Sequence, residues 1–210
     1  WFEDTKRGWA VGAFGEMVTT RDGGGHWSDA AHLLDNPDEF HLNTITGDGA
    51  GRIFIAGEGG VMYRSLDGGD SFEALPPIYE GSWFGTLYHA RTDALLVFGL
   101  RGNLFRSTDF GTTWTRIEHD RTVSLAGGSS SKGGDIVLVV VEPEGTRVVG
   151  GLHGEDFAHG TILEAFNRVL LGELVAVAEA GNEGEALLGG ELARLAHGAH
   201  PDGINGNGLF

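Results

Sequence analysis

Three aspartates have the surroundings that an acid catalyst or a metal ligand would need. Asp22, Asp67 and Asp109 each have a hydroxyl residue two positions before them and a glycine two positions after, in TTRDGGGHW, RSLDGGDSF and RSTDFGTTW. A carboxylate in such a turn can equally accept the backbone N–H groups of its own turn, as in Asx-turns. Because each aspartate has the same local position in a separate copy of one pattern, we expect the three to point outward and not to converge. The pattern is interpreted as a folding device, and neither a catalytic residue nor a metal site is predicted from it.

The pattern extends beyond the aspartates. One glycine lies ten residues before each aspartate, a second lies seven before it, and an aromatic residue lies five after it. The copies are 45 and 42 residues apart, and a four-stranded propeller blade is roughly 40–45 residues long. The residues predicted to build the three turns are Thr20, Asp22, Gly24, Trp27, Ser65, Asp67, Gly69, Phe72, Ser107, Asp109, Gly111 and Trp114.

The second copy predicts four antiparallel strands, which together make one blade. From the innermost outward they are HLNTITGD (41–48), RIFIAG (52–57), VMYRS (61–65) and SFEAL (71–75). RIFIAG has the β-branched and aromatic residues of a half-buried strand. The link from Gly57 to Gly60 is predicted to supply the positive φ angles of a tight hairpin. Phe72 is predicted to pack into the gap between neighbouring blades.

The composition fits an all-β fold and excludes several classes of function. The 210 residues include 37 glycines, 5 prolines and no cysteine, which excludes disulfides and thiolate metal sites. A formal charge of −16 and the lack of a basic run disfavour nucleic acid as a partner. No apolar stretch is long enough for a membrane-spanning helix. The chain begins at Trp1 without a signal-like segment, which indicates a processed or trimmed chain.

The first copy, FEDTKRGWAVGAFGEMVTTRDGGGHW, is specific enough to name a family. The motif [ST]-x-D-x-G-x-x-[WF] is the Asp-box, or BNR motif, and the whole repeat resembles that of photosystem II stability/assembly-factor-like β-propellers. The resemblance covers residues 1–117, and the family generally closes seven blades. The matching positions are Phe2, Asp4, Gly8, Trp9, Val11, Gly12, Gly15, Thr20, Asp22, Gly23, Gly24 and Trp27.

The pattern decays after residue 117, although one β-propeller domain is predicted across residues 1–210. A degenerate fourth copy keeps the spacing from Gly145 to Phe157, and DIVLVVV (135–141) predicts a buried strand. The Gly-rich segment 126–135 is interpreted as a junction. The degenerate blades extend over 118–200, where 162–180 could form strands or an amphipathic helix. A turn-rich tail follows at 201–210, so the chain has room for about five blades at the repeat length of roughly 40–45 residues.

Blade topology predicts which loops are free to bind a partner. The Asp-box turns lie on one rim, while the hairpins between second and third strands and the links between blades lie on the opposite rim. Loops held by a rigid scaffold commonly carry function. The binding residues predicted on the opposite rim are Phe14, Glu58, Tyr79, Trp83, Phe84 and Arg101. For Trp83 and Phe84 the alternative is that they begin the next inner strand and pack between blades.

The resemblance implies a non-catalytic scaffold that binds a protein partner, such as a membrane complex, outside the cytoplasm. Photosynthetic members of the family bind their partner through a basic patch. The acidity of this chain argues against the same partner. The alternative is a glycan-active propeller, either a sialidase-like or glucanase-like glycoside hydrolase or a lectin. Nothing singles out a carboxylate pair for glycoside hydrolysis, and Tyr79 has only the adjacent Glu80 as a partner for a sialidase-type nucleophile. No cofactor is predicted. His197 and His200 have a spacing that could suit a metal, but they lie in a polar turn where histidine is usually just solvated, so no metal site is predicted either.

Overall fold

The computed structural model of the protein describes residues 1–119, 122–130, 136–142 and 145–152, and this part of the chain is all-β. All of these residues belong to a compact unit, Trp1–Asn167. Within them, no helix has the length and apolar character needed to cross a bilayer. The predictions for a fifth blade, for 162–200, for the tail and for a single domain extend outside the described residues.

The strands form four antiparallel sheets in which each strand pairs with the next one along the chain. The first sheet has order β1-β2-β3, the second β4-β5-β6-β7, the third β11-β10-β9-β8, and the fourth β12-β13-β14. This meander is the blade arrangement that the repeats predict. The strands are β1 Gly8–Val11, β2 Met17–Thr20, β3 Ser28–Asp29, β4 Leu42–Gly47, β5 Ile53–Gly57, β6 Met62–Ser65, β7 Glu73–Ala74, β8 Trp83–His89, β9 Ala94–Gly99, β10 Leu104–Ser107, β11 Thr115–Arg116, β12 Ser124–Ser130, β13 Ile136–Glu142 and β14 Gly145–Leu152.

The first sheet has a short inner segment of its own beside β1. Trp9 donates its backbone N–H to the Trp1 carbonyl at 2.9 Å, and the Trp1 amino group donates to the Trp9 carbonyl at 3.0 Å. Phe2 and Gly8 form an isolated antiparallel bridge next to this pair. The two indole rings also stack, with centroids 5.6 Å apart.

Apolar side chains from facing sheets build the core between blades. The strand β5 is buried on both faces: Ile53 and Ile55 pack against the first sheet, and Phe54 and Ala56 pack against the third. Leu125, at the start of the fourth sheet, likewise joins a cluster with residues of β9 and β10. Burying each such large side chain contributes on the order of 1.5–3 kcal/mol. The blades are therefore held together mainly by sheet-on-sheet packing.

The Gly-rich segment predicted as a junction is in part a strand, so the interpretation of 126–130 as a junction was wrong. These residues belong to β12, which pairs with β13 and is the inner strand of the fourth sheet. A Cβ on Gly128 would lie 2.9 Å from Leu138 Cδ2 and 3.0 Å from Phe98 Cζ. Glycine is present here because the neighbouring blade packs directly against the strand. The strand predicted at 135–141 is confirmed as β13, Ile136–Glu142.

The glycines of the second-to-third-strand turns serve two different purposes. Gly60 has a φ of 86°, as predicted for a tight turn. Gly57 has an extended φ of −157°, so the prediction of a positive φ there was wrong. A side chain at Gly57 would instead collide with the carbonyl oxygen of His41. The first glycine of this repeat is thus required by close approach of the chain and not by its own backbone angles.

Arginines join neighbouring blades on the rim that carries the Asp-box turns. The Arg7 guanidinium donates to the carbonyl of Gly68, and Arg64 Nη1 donates to the carbonyl of Phe110 at 3.0 Å. Both acceptors are the residue immediately after the turn aspartate of the following blade. Arg52 spans the second and third sheets more tightly: it pairs with Asp48 at 2.5 Å and Asp93 at 2.6 Å.

Candidate partner-binding rim

The Asp-box turns are closed networks of hydrogen bonds. Asp67 Oδ1 accepts from the Ser71 amide at 3.0 Å and from the Ser65 hydroxyl at 2.8 Å, while Ser65 Oγ accepts from the Gly69 amide at 2.8 Å. The Ser71 hydroxyl donates to Asp67 Oδ2 at 2.6 Å. These bonds, led by the one from the Ser71 side chain, lower the pKa of Asp67 to about 2. These hydrogen bonds lie within the turn itself, as expected for the folding device that the sequence predicts.

The other two turns repeat this network with other side chains. In the third turn, burial raises the pKa of Asp109, but the hydroxyl and amide of Thr113 outweigh this effect and bring it to about 2. In the first turn, the His26 ring and amide hold the pKa of Asp22 below its ordinary value. Each aspartate is engaged within its own turn, so the three do not converge on a shared site.

A further member of the motif, not predicted from the sequence, lies four residues after each aspartate. His26 Nδ1, Ser71 Oγ and Thr113 Oγ1 each lie 2.6 Å from the second carboxylate oxygen of their own turn. A side chain able to donate a hydrogen bond recurs at this position in all three copies, and that recurrence was the available signal. Within the ranges that the structure describes, no group of three or more His, Cys, Asp or Glu side chains could hold a metal ion.

The opposite rim is built from three equivalent tight turns, Ala13–Gly15, Glu58–Gly60 and Leu100–Gly102. The middle residue of each is left-handed, with φ values of 56° at Phe14, 65° at Gly59 and 58° at Arg101. Glycine meets this requirement without strain, whereas another residue costs on the order of 1 kcal/mol or more. Phe14 and Arg101 are also exposed. Folding alone does not account for a phenyl ring and a guanidinium at these two positions.

Phe14 belongs to a small cluster that crosses from the first blade to the second. Its ring centroid lies 4.8 Å from that of His41. The Glu58 amide donates to the His41 carbonyl at 2.8 Å, and the His41 amide approaches Glu58 Oε2 at 3.4 Å. Two of the residues predicted on this rim, Phe14 and Glu58, are therefore brought together through His41. His41 was not predicted as a site residue, although its place at the start of the predicted inner strand 41–48 was visible in the sequence.

The predicted aromatic residues of the second link have different environments. Trp83 begins β8 and is 0% exposed, packed between Tyr79 and Phe105, with ring centroids at 5.4 and 5.8 Å respectively. The alternative of packing between blades is therefore correct for Trp83, which no partner reaches on this surface. Tyr79 is half-buried beside it. Among the described residues, Trp83 Nε1 is a buried donor without a hydrogen-bond partner.

Phe84 lies at a β-bulge at the start of β8. The pairing of β8 with β9 shifts between Trp83 and Gly85, which leaves Phe84 unpaired at the start of the inner strand, where it is half-buried. A similar shift leaves Asn43 unpaired in β4. Bulges redirect side chains and are common beside functional sites. The amide of Asn43 donates to the Trp83 carbonyl at 2.9 Å and so fixes one bulge against the other.

The turns and links of this rim are strongly acidic. We define the rim segments as residues 12–16, 30–41, 57–61, 75–82 and 99–103. Arg101 is the only lysine or arginine in these segments, all of which the structure describes. A surface of this charge attracts cationic partners and repels anionic ones. The six acidic residues of the segments are Glu16, Asp35, Asp38, Glu39, Glu58 and Glu80.

Comparisons with known proteins agree with this architecture. The chain is 29% identical over 141 residues to the photosystem II assembly lipoprotein Ycf48 of Synechococcus sp. (strain CC9902), which covers 66% of the chain and 41% of the relative. A solved structure of YCF48 bound to a D1 peptide superposes with a TM-score of 0.56 at 24% identity, covering 70% of this chain and 50% of the other. A GH74 enzyme of Niastella koreensis superposes with a TM-score of 0.52 at 13% identity, over 65% of this chain and 23% of the enzyme.

These similarities differ in what they establish. Both structural superpositions fall below 25% identity and show the fold alone. The chain spans about two-fifths of the length of the curated relative, given its 41% coverage. A family model described as photosynthesis system II assembly factor YCF48 matches residues 1–183, most of the chain. The chain therefore belongs to the YCF48 family of photosystem II assembly factors.

Proposed function

We propose that this chain is a non-catalytic scaffold that binds a segment of a partner protein on the rim opposite the Asp-box turns. The observation that carries the proposal is the pair of exposed, left-handed residues Phe14 and Arg101, at turn positions where the second sheet has Gly59. Phenylalanine and arginine are both enriched in protein interfaces, and arginine is also enriched among binding hot spots. The half-buried Phe84 and the cluster of Phe14, His41 and Glu58 extend the same surface.

The rigidity of the rim supports this role. Its turns are held by backbone hydrogen bonds to the links, for example from the Glu58 amide to the His41 carbonyl at 2.8 Å and from the Leu100 amide to the Ser82 carbonyl at 3.1 Å. The inner strands β4 and β8 are joined by the hydroxyls of Thr44 and Thr86 at 2.9 Å. A preformed surface loses little conformational entropy when a flexible peptide binds to it.

Family membership supports a protein partner. The solved YCF48 structure contains a D1 peptide, and we propose that this chain binds a corresponding membrane-protein segment. The curated relative is a lipoprotein, in accord with a proposed location outside the cytoplasm. Catalysis is not part of the proposal, because the regularly spaced aspartates are engaged within their turns and the likeness to the GH74 enzyme is one of fold.

The test uses two glycine variants, Phe14→Gly and Arg101→Gly, that reproduce the residue found at Gly59. Glycine relieves the left-handed strain, so we expect the melting temperature to be unchanged or higher. Affinity for a labelled D1 peptide, measured by fluorescence anisotropy, should fall by about tenfold for each variant, since a hot-spot side chain contributes about 1–2 kcal/mol or more. Leu66→Ala, an exposed apolar residue beside an Asp-box turn, is the control.

Affinity that is unchanged in both glycine variants would show that the peptide binds elsewhere. Equal losses in the Leu66→Ala control would show that the measured binding is a general property of exposed apolar side chains. Either result contradicts the proposed surface. Loss in the two glycine variants alone, with their stability intact, supports it.

A further inference from the structure

A pocket of about 280 Å³ lies on the outer side of the second blade, beside the first inter-blade link. One wall is the link itself, with Asp35, Asp38 and Phe40, and another is the turn at Gly59 and Gly60. The pocket is separate from the cluster around Phe14, which faces the inner strands. The rest of its lining comes from the outer strands β6 and β7 and the residues next to them, namely Val61, Met62, Tyr63, Ala74, Leu75 and Pro77.

The link wall, residues 35–40, is held in one conformation by the side chain of Asn36. Asn36 Oδ1 accepts from the Phe40 amide at 3.1 Å, and Asn36 Nδ2 donates to the Phe40 carbonyl at 3.0 Å. The Glu39 amide donates to the Asn36 carbonyl at 3.1 Å, and Glu39 itself has a left-handed φ of 54°. A loop clamped at both ends around a strained residue is preformed, as binding surfaces commonly are.

The interior of the pocket is apolar, while its edge carries negative charge. Among the described residues, the carboxylates of Asp35 and Asp38 form no ion pair or hydrogen bond. The backbone carbonyl of Asp35 accepts from the Tyr63 hydroxyl at 3.1 Å. Burial and the nearby charge of Asp35 together raise the pKa of Tyr63, so this hydroxyl stays neutral and keeps donating. The pocket therefore has an apolar floor, one fixed phenol and two free anions.

We propose that this pocket docks a segment of a partner protein that carries a lysine or arginine next to an aliphatic residue. The aliphatic side chain would contact the half-buried Val61 and Leu75, and the cation would lie between Asp35 and Asp38. An anionic ligand is disfavoured by the same two carboxylates. A second copy of this chain is disfavoured too, because the chain carries a formal charge of −16. The pocket uses part of the same rim segments, but its lining does not include Phe14 or Arg101, on which the proposed function rests.

The probe is a fluorescein-labelled peptide, acetyl-Gly-Lys-Leu-Pro-Lys-Leu-Gly-amide, compared with a peptide in which both lysines are glutamate. We expect anisotropy to report binding of the lysine peptide only, weakening between about 0.05 and 0.5 M salt as screening increases. The double variant Asp35→Asn, Asp38→Asn should weaken binding by about tenfold, since each exposed ion pair that is lost weakens binding by a factor of up to about five. The charge-matched control is Asp70→Asn with Glu118→Gln, two exposed carboxylates outside the pocket.

A second variant tests the pocket without changing its charge. Ala74 is exposed and lines the pocket, so Ala74→Trp should fill it and abolish binding while leaving the melting temperature unchanged. Phe14→Gly should leave binding of this probe intact, which separates this site from the proposed function. Binding that survives Ala74→Trp, or that falls equally in the charge-matched control, would overturn the proposal.

Discussion

The Asp-box hydroxyl of the third turn gives the sharpest test of how these turns are stabilised. Ser107 is 1% exposed, and its Oγ accepts from the Gly111 amide at 2.7 Å and donates to Asp109 Oδ1 at 2.7 Å. The variant Ser107→Ala removes both bonds, together with the longer one that the Asp109 amide donates to Ser107 Oγ at 3.3 Å. The buried Gly111 N–H then has no acceptor in the turn, while Asp109 keeps the two donors of Thr113.

The expected loss of stability follows from this difference between the unpaired Gly111 N–H and the Asp109 carboxylate, which stays hydrogen-bonded. An unpaired buried donor costs about 1–3 kcal/mol, whereas the exposed carboxylate is compensated by solvent. We therefore expect Ser107→Ala to lower the free energy of unfolding by about 2 kcal/mol. Thr108→Ala, an exposed hydroxyl in the same turn, should change it by less than about 0.5 kcal/mol. Ser107→Thr should keep most of the wild-type free energy of unfolding, since Thr20 Oγ1 accepts the equivalent bond from the Gly24 amide at 2.9 Å.

Urea unfolding followed by tryptophan fluorescence and far-UV circular dichroism measures these differences. The turn mechanism is refuted if Ser107→Ala is as stable as Thr108→Ala. It is also refuted if Ser107→Thr is as unstable as Ser107→Ala, because the loss would then come from packing and not from the hydroxyl.

Two further predictions follow from the same structure. The pKa of Asp109 is lowered to about 2 in the folded protein, so the stability that its carboxylate contributes is present above the ordinary pKa of about 3.8 and is lost as the pH falls through about 2. Between these pH values, the free energy of unfolding should therefore fall less steeply in Asp109→Asn than in the wild type. Gly85→Ala would place a methyl group against the buried ring of Phe98, at a cost of about 1–3 kcal/mol. A Cβ at Gly127 would meet no other atom within 4 Å, so Gly127→Ala should keep the wild-type melting temperature in a thermal unfolding scan. Equal melting temperatures for Gly85→Ala and Gly127→Ala would contradict the packing argument.

The sequence predicted the elements whose signal is local. The four strands of the second blade agree with prediction to within two residues at each end, because alternation, turn glycines and the Asp-box all mark the same boundaries. The failure at β12 has the opposite cause. Gly127 and Gly128 look like a loop in isolation, and only the packing of Phe98 and Leu138 against Gly128 explains a strand there.

The candidate site was predicted in part for a similar reason. Phe14, Glu58 and Arg101 lie in turns whose position follows from blade topology, so the sequence could place them opposite the Asp-box turns. Their role in binding stays a prediction. The burial of Trp83 depends on a ring from the next-but-one strand, Phe105, and no local pattern encodes it. The bulge that presents Phe84 is likewise a matter of register between two strands, which residue types alone do not specify.

The arginine contacts between blades bear on how such chains can be lengthened. Arg7 and Arg64 start from different places in their own blades, yet each reaches the carbonyl just beyond the turn aspartate of the following blade. Donor and acceptor thus belong to successive copies of the repeat, so each of these hydrogen bonds crosses a boundary between two blades. A designer who inserts an extra blade should graft a segment that carries both an acceptor carbonyl for the preceding blade and an arginine for the following blade. Otherwise this hydrogen bond is missing on both sides of the inserted blade.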